Sequence, residues 1–371
     1  MIEHLAISGG SIKGFTFYGI LKELHKRQYW KLENIKSIHC VSIGSFVSVC
    51  CMLGYSWDIL DDYLIKRPWE KVFSFQFGFM FQIIEKRGMF DIKEIKQMLY
   101  PLLRGANLAE DITLREFYEI NGVDLFIYAT ELSQMKMCVF NHKTHPDWKL
   151  VDVIYCSCCL PIVFSPFRVP SLVAPHTTHP VAPSPLMDIE MNMNTTNATH
   201  TDTHTPTYNT IYPITPPQPS AIPPPPTDDN NNDEWYIDGG IFTNYPLPFL
   251  LRDNPDIDET TVLGIRACVH TKMTEKMSLF DFLGILIFFL LLCINKNAHD
   301  NGDKGADITT AITNEIEVAN FDCTDIIMKI YETANSTEMR KTMIMDGERI
   351  AQEFLISHHR DCDSDNNNGG V

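Results

Sequence analysis

Positive charge is scarce in this chain of 371 residues. Lys and Arg number 30 against 47 Asp and Glu, a formal net charge of −17. A general nucleic-acid binder needs a basic face to replace counterions on phosphates, so no nucleic-acid partner is expected; a local basic patch is not excluded. No CxxC pair stands at zinc spacing from a His, and no metal site is expected. The eleven Cys are irregularly spaced, with Cys50-Cys51 and Cys158-Cys159 adjacent. They read as reduced, mostly buried thiols of a cytoplasmic protein. The opening MIEHLAISGG lacks a basic n-region and a long apolar core, so no secretory signal is expected. Phe282 to Ile294 is an uncharged run of 13 residues. As a helix it would span about 20 Å, short of the roughly 30 Å hydrocarbon core, so it reads as a buried or interfacial segment. The alternation Phe73, Phe75, Phe77, Phe79, Phe81 is open in the same way: a core face or a lipid-contacting flap.

What is present is a globular balance, 44% hydrophobic and 21% charged. Residues 170–234 stand apart. They hold 14 of the 22 prolines and are otherwise mostly Thr, Asn, His, Ser and Asp. Such a stretch cannot bury a core and reads as a disordered insertion. It divides one α/β domain into 1–169 and 235–371. The ordered part begins with an apolar strand, His4 to Ile7, a glycine turn, and a helix from about Phe15 to Gln28. A second strand, Ile38 to Val41, precedes a helix from about Ser45 to Leu53, ended by Gly54. Strand–helix–strand–helix in 54 residues argues for a mostly parallel sheet. Further strands are expected at Leu125–Thr130, Lys136–Phe140 and Val262–Ala267.

Three motifs carry candidate chemistry. Ser8-Gly9-Gly10-Ser11-Ile12-Lys13-Gly14 lies between strand and helix, where glycines expose backbone N–H groups beside a helix N-terminus. That is an anion site or an ordinary strand–helix turn. It is not a dinucleotide loop, because Ser11 replaces the second motif glycine and Ser42 stands where a ribose-binding carboxylate is wanted. Cys40-Val41-Ser42-Ile43-Gly44 has the placing of a nucleophile elbow, which needs small neighbours two residues to either side; Gly44 and Cys40 fill those places. It would equally suit a Ser capping a helix. Trp235-Tyr236-Ile237-Asp238-Gly239-Gly240 ends an apolar strand in a carboxylate on a glycine turn, a base for a hydroxyl or a simple Asp-Gly turn.

Together, in this order, the motifs resemble the patatin-like phospholipase family. Other landmarks agree: Gly88-Met89-Phe90-Asp91 opening a helix, Tyr128-Ala129-Thr130-Glu131-Leu132, and Cys156-Ser157-Cys158-Cys159-Leu160-Pro161 running on to Phe164-Ser165-Pro166. The resemblance covers roughly 4–169 and 235–270, with a weaker echo to Leu355. It departs from the family at Ser11 and Cys40.

The resemblance implies a three-layer α/β/α sandwich and a Ser–Asp dyad, with Ser42 the nucleophile and Asp238 the general base. Backbone N–H groups around Gly9, Gly10 and Ser11 would form the oxyanion hole. Lys13, Gly14, Cys40, Gly44, Gly239 and Gly240 would support these motifs, Lys13 steering anionic lipid or acting as a surface charge. The substrate would be a phospholipid or other acyl-ester lipid, met at a membrane surface by a peripheral protein. No cofactor is implied. A neutral-lipid lipase or acyltransferase on the same dyad, or an inactive lipid-binding homologue, are the rival readings. A Ser–His–Asp triad would be a sharper alternative. His39 reads as a satisfied core residue, His270 could lie near the site, and no histidine has a motif context.

Overall fold

Leu5, Ala6 and Ile7 are apolar on both sides of the chain, which suits a parallel strand covered on both faces. In the computed structural model, which describes residues 1–74, 79–170, 233–269, 312–321 and 326–367, they form β1 (His4–Ile7). The other strands are β2 (Ser37–Val41), β3 (Gly88–Phe90), β4 (Asp124–Glu131), β5 (Lys136–Phe140), β6 (Ile162–Phe164), β7 (Phe167–Val169), β8 (Glu234–Asp238), β9 (Val262–Val269) and β10 (Glu315–Phe321). The main sheet runs β10-β9-β1-β2-β4-β8-β7, with β5 on β4. Neighbours from β10 to β4 are parallel, while β5, β8 and β7 pair antiparallel. This is the expected mixed α/β sheet, mostly parallel and flanked by helices. Sequence reasoning missed β10, β7 and the small β3–β6 sheet.

The insertion, Phe282 to Ile294 and His270 lie wholly or almost wholly outside the described residues. So do the side chains of 75–82, which hold most of the Phe alternation. The described end of that run is Phe73, half-buried against Trp69 and Phe90, and the backbone from Phe79 to Lys86 is helical.

Strand side chains alternate between two layers, as period-2 geometry requires. Leu5 and Ile7 enter the large core with Phe17, Ile20, Leu21 and Leu24 of helix α1 (Gly14–Lys26). Ala6 faces the other way, onto Leu247 and Leu250. The large face also carries α2 (Ile43–Met52), the helix Leu150–Cys158 and the long helix Thr337–Asn367. That long helix crosses α1 closely. A Cβ on Gly19 would fall 2.1 Å from the Ile344 carbonyl, and one on Gly347 would fall 2.1 Å from the Thr16 carbonyl. The buried Lys22 ammonium clasps the crossing, at 2.6 Å from both Asp61 and Glu348.

Register sets the site. Ile7 pairs with Cys40 and Val41 with Tyr128, while Ala129 pairs with Asp238. The glycine loop after β1, Ser42 after β2, and Asp238 at the end of β8 therefore meet at one level of the sheet.

Candidate active site

The turn from β2 into α2 forces Ser42 to φ 51° and ψ −129°, a conformation that side chains rarely adopt. Its surroundings hold it there. The Ser42 N–H donates to Ser157 Oγ at 2.8 Å, and Ser157 Oγ–H donates to the Tyr128 carbonyl at 2.6 Å. Gly44 is required by contact, since a Cβ there would lie 2.6 Å from the Ser8 carbonyl and 2.9 Å from that of Ile7. Cys40, on the other flank, is fully buried and points its thiol at the Phe126 carbonyl, 3.5 Å away. Burial pushes that thiol up to about 12, so it stays neutral.

The Ser42 hydroxyl donates to Asp238 Oδ2 at 2.6 Å. Asp238 Oδ1 accepts the Gly240 N–H at 2.7 Å, and the Asp238 carbonyl accepts from Thr130. Gly239 lets this turn press on β4, where a Cβ would meet the Tyr128 carbonyl at 2.1 Å. Asp238 is 5% exposed. Burial raises its carboxyl from 3.8 to about 6, against the two hydrogen bonds, which lower it.

The glycine loop lies beside this pair: a Cβ on Gly9 would be 3.2 Å from Ser42 Cβ. Gly9 itself corrects the sequence expectation. Its N–H is already donated to the Asn244 main-chain oxygen at 2.9 Å, so tertiary structure has used that donor. The N–H groups of Gly10 and Ser11 are donated to no described residue. Ser11 sits at φ 47°, where glycine would be relaxed. Gly14 packs on the residue after Ser42; a Cβ would meet Ile43 Cγ1 at 2.4 Å. Lys13 closes the loop by donating its N–H to the Gly10 carbonyl, and its half-buried ammonium is lowered chiefly by burial.

His39 is buried, as expected, but only half satisfied. Nδ1 pairs with Tyr128 Oη at 2.8 Å, the ring stacks on Phe126, and Nε2 has no partner among the described residues. Burial pushes it down to about 3, so it is neutral. Among the described residues no imidazole bonds to Ser42 or Asp238. The eight described cysteines are free thiols. Sequence reasoning did not assign Ser157 or Asn244 a role; Ser157 stands inside one of the landmark segments and Asn244 four residues beyond Gly240, and only tertiary contact shows what each holds.

Residues 5–188 match the family model described as patatin-like phospholipase. That span includes Ser42 and ends before Asp238. An uncharacterized protein of Acanthamoeba polyphaga mimivirus is 25% identical over 165 residues, 44% of this chain and 54% of that protein. A probable lipid hydrolase of Invertebrate iridescent virus 6 is 25% identical over 170 residues, 44% of this chain and 55% of that protein. The chain thus spans about half the length of these curated relatives. The crystal structure of VipD from Legionella pneumophila aligns at TM-score 0.44 and 14% identity, covering 96% of this chain and 67% of that one. Among the described residues, no helix is long and apolar enough to cross a membrane.

Proposed function

We propose, for a chain that belongs to the patatin-like phospholipase family, hydrolysis of fatty-acyl esters of glycerophospholipids through a Ser42–Asp238 dyad. The observation that carries this is the 2.6 Å hydrogen bond from Ser42 Oγ to Asp238 Oδ2. A serine hydroxyl is a weak nucleophile until a base takes its proton. Asp238, titrating near 6, is ionised at neutral pH yet basic enough to accept it.

Ser42 Oγ attacks the acyl carbonyl as its proton passes to Asp238. The oxyanion is held by the Gly10 and Ser11 N–H groups, each such donor being worth roughly 3–4 kcal/mol. Collapse expels the lysolipid alkoxide, which takes the proton from Asp238 and leaves the acyl group on Ser42. Water, giving its proton to Asp238, attacks the acyl carbonyl; Ser42 Oγ leaves and takes that proton back from Asp238, which releases the fatty acid and restores the pair. The substrate sits in a lipid surface, so the protein docks there peripherally; at −17 overall this relies on apolar contact or a local cation such as Lys13.

Purified protein with mixed labelled phospholipids should yield free fatty acid and lysolipid. Ser42→Ala should cut this at least a thousandfold while unfolding as the wild type does. Products other than these, or wild-type turnover by Ser42→Ala, would sink the proposal.

A further inference from the structure

Asn244 lies between the glycine loop and the Asp238 loop and touches both. Its main-chain oxygen accepts the Gly9 N–H at 2.9 Å, and its Nδ2 donates to the Gly9 carbonyl at 3.3 Å. Both polar groups of Gly9 are thus tied to one residue, with Ser8 Oγ adding a second donor to the same carbonyl at 3.0 Å. The side-chain oxygen fills the space that glycine leaves. It lies 2.5 Å from the position of a Cβ on Gly9 and 3.1 Å from that of a Cβ on Gly240. Asp238 Oδ1 is 3.0 Å from the same Gly240 position.

We infer that Asn244 is a positioning residue that fixes the oxyanion donors relative to Ser42 and Asp238. The inference rests on the function proposed above and deepens it. Gly10 and Ser11 follow Gly9 directly, so a shift of Gly9 moves the N–H groups of both, which are donated to no described residue. Donors of this kind act only when they are held where charge develops, and a 1 Å error costs about a hundredfold. An amide suits the place: it donates to the Gly9 carbonyl, and it brings no charge next to the base. Asp at this position would lose the donor and set a carboxylate within about 6 Å of Asp238. Among the described residues, the other titratable groups facing Asp238 are the thiols of Cys158 and Cys159, which burial keeps protonated.

The test compares Asn244→Ala and Asn244→Asp with wild type by kcat, KM, pH profile and thermal melting, on dispersed phosphatidylcholine. Asn244→Ala should lower kcat about a hundredfold with KM within about twofold. Its melting should be near wild type and its acid limb unmoved. Asn244→Asp should lower kcat and also move the acid limb to higher pH. A kcat for Asn244→Ala within about threefold of wild type would overturn the inference. So would a loss carried only by KM. If Asn244→Ala does not fold, Asn244→Asp decides: an unmoved acid limb and wild-type kcat would overturn the inference. Ser42→Ala separates the two levels. If it keeps wild-type turnover, the dyad itself is wrong; if it is inactive while Asn244→Ala is fully active, only the role of Asn244 is wrong.

Discussion

Replacing Asp238 with Asn removes one negative charge from a buried place and little else. Asn can accept the Gly240 N–H on Oδ1 and donate to Ser42 Oγ from Nδ2, so both hydrogen bonds have counterparts. The wild-type carboxyl titrates near 6 in the fold, against an ordinary 3.8. Between those values the folded protein holds a proton that the unfolded chain has released. Stability therefore falls as pH rises through that window, and stays lower above it. At 1.36 kcal/mol per tenfold, the ionised carboxylate costs the fold about 3 kcal/mol at pH 8. Asp238→Asn should recover up to that amount while abolishing lipid hydrolysis. Denaturant titrations of both proteins from pH 3 to pH 8 measure it. The stability difference should be near zero at the acid end, open between pH 4 and 6, and then level off. A variant less stable than wild type at pH 8, or a difference that ignores pH, would refute the reasoning. The wild-type hydrolysis rate should fall on the acid side with a midpoint near pH 6, as the base is protonated.

Gly44→Ala drives a methyl group into the Ser8 and Ile7 carbonyls, so it should cost more than about 2 kcal/mol by denaturant melting and take activity with it. Ser157→Ala frees the Ser42 N–H from its partner and should lower kcat at least tenfold with KM little changed, read on the same labelled lipids. The strands flanking the Pro-rich stretch already pair, Val169 with Glu234, so residues 171–232 should be replaceable by a short turn. The shorter loop should raise stability by about 2 kcal/mol through its smaller closure entropy, and lost soluble protein would show that the stretch packs.

The parts of the fold that were legible in the sequence were those with local causes. Apolar runs ending in glycine turns mark β1 and β2, and the helices after them follow from period-3.6 patterning. Ser42 and Asp238, assigned through the family resemblance of their motifs taken together, are brought within hydrogen-bond distance. The remainder depends on distant contacts. β3 and β6 have three residues each and pair where Gly88 lies close on the backbone of Phe164 and Ser165. The Gly9 N–H is taken by a residue 235 positions away. Glu315 to Val318 alternates polar and apolar residues as an edge strand does, but Ala319 breaks the alternation where the register shifts, and only four residues of pattern remain to be read. Lys22 and Gly347 carry no pattern at all until the two helices cross.

That crossing also bears on the order in which the chain is made. α1 begins where the glycine loop ends, yet Gly347, which packs against Gly19, is 328 residues downstream. At about 5–20 residues per second, the ribosome makes Gly347 roughly 15–65 s after Gly19. For that interval the Gly19 groove is uncovered and Lys22 lacks one of its two carboxylates. A nascent chain arrested before Thr337 should therefore be open to protease at α1, whereas the chain released from the ribosome should resist.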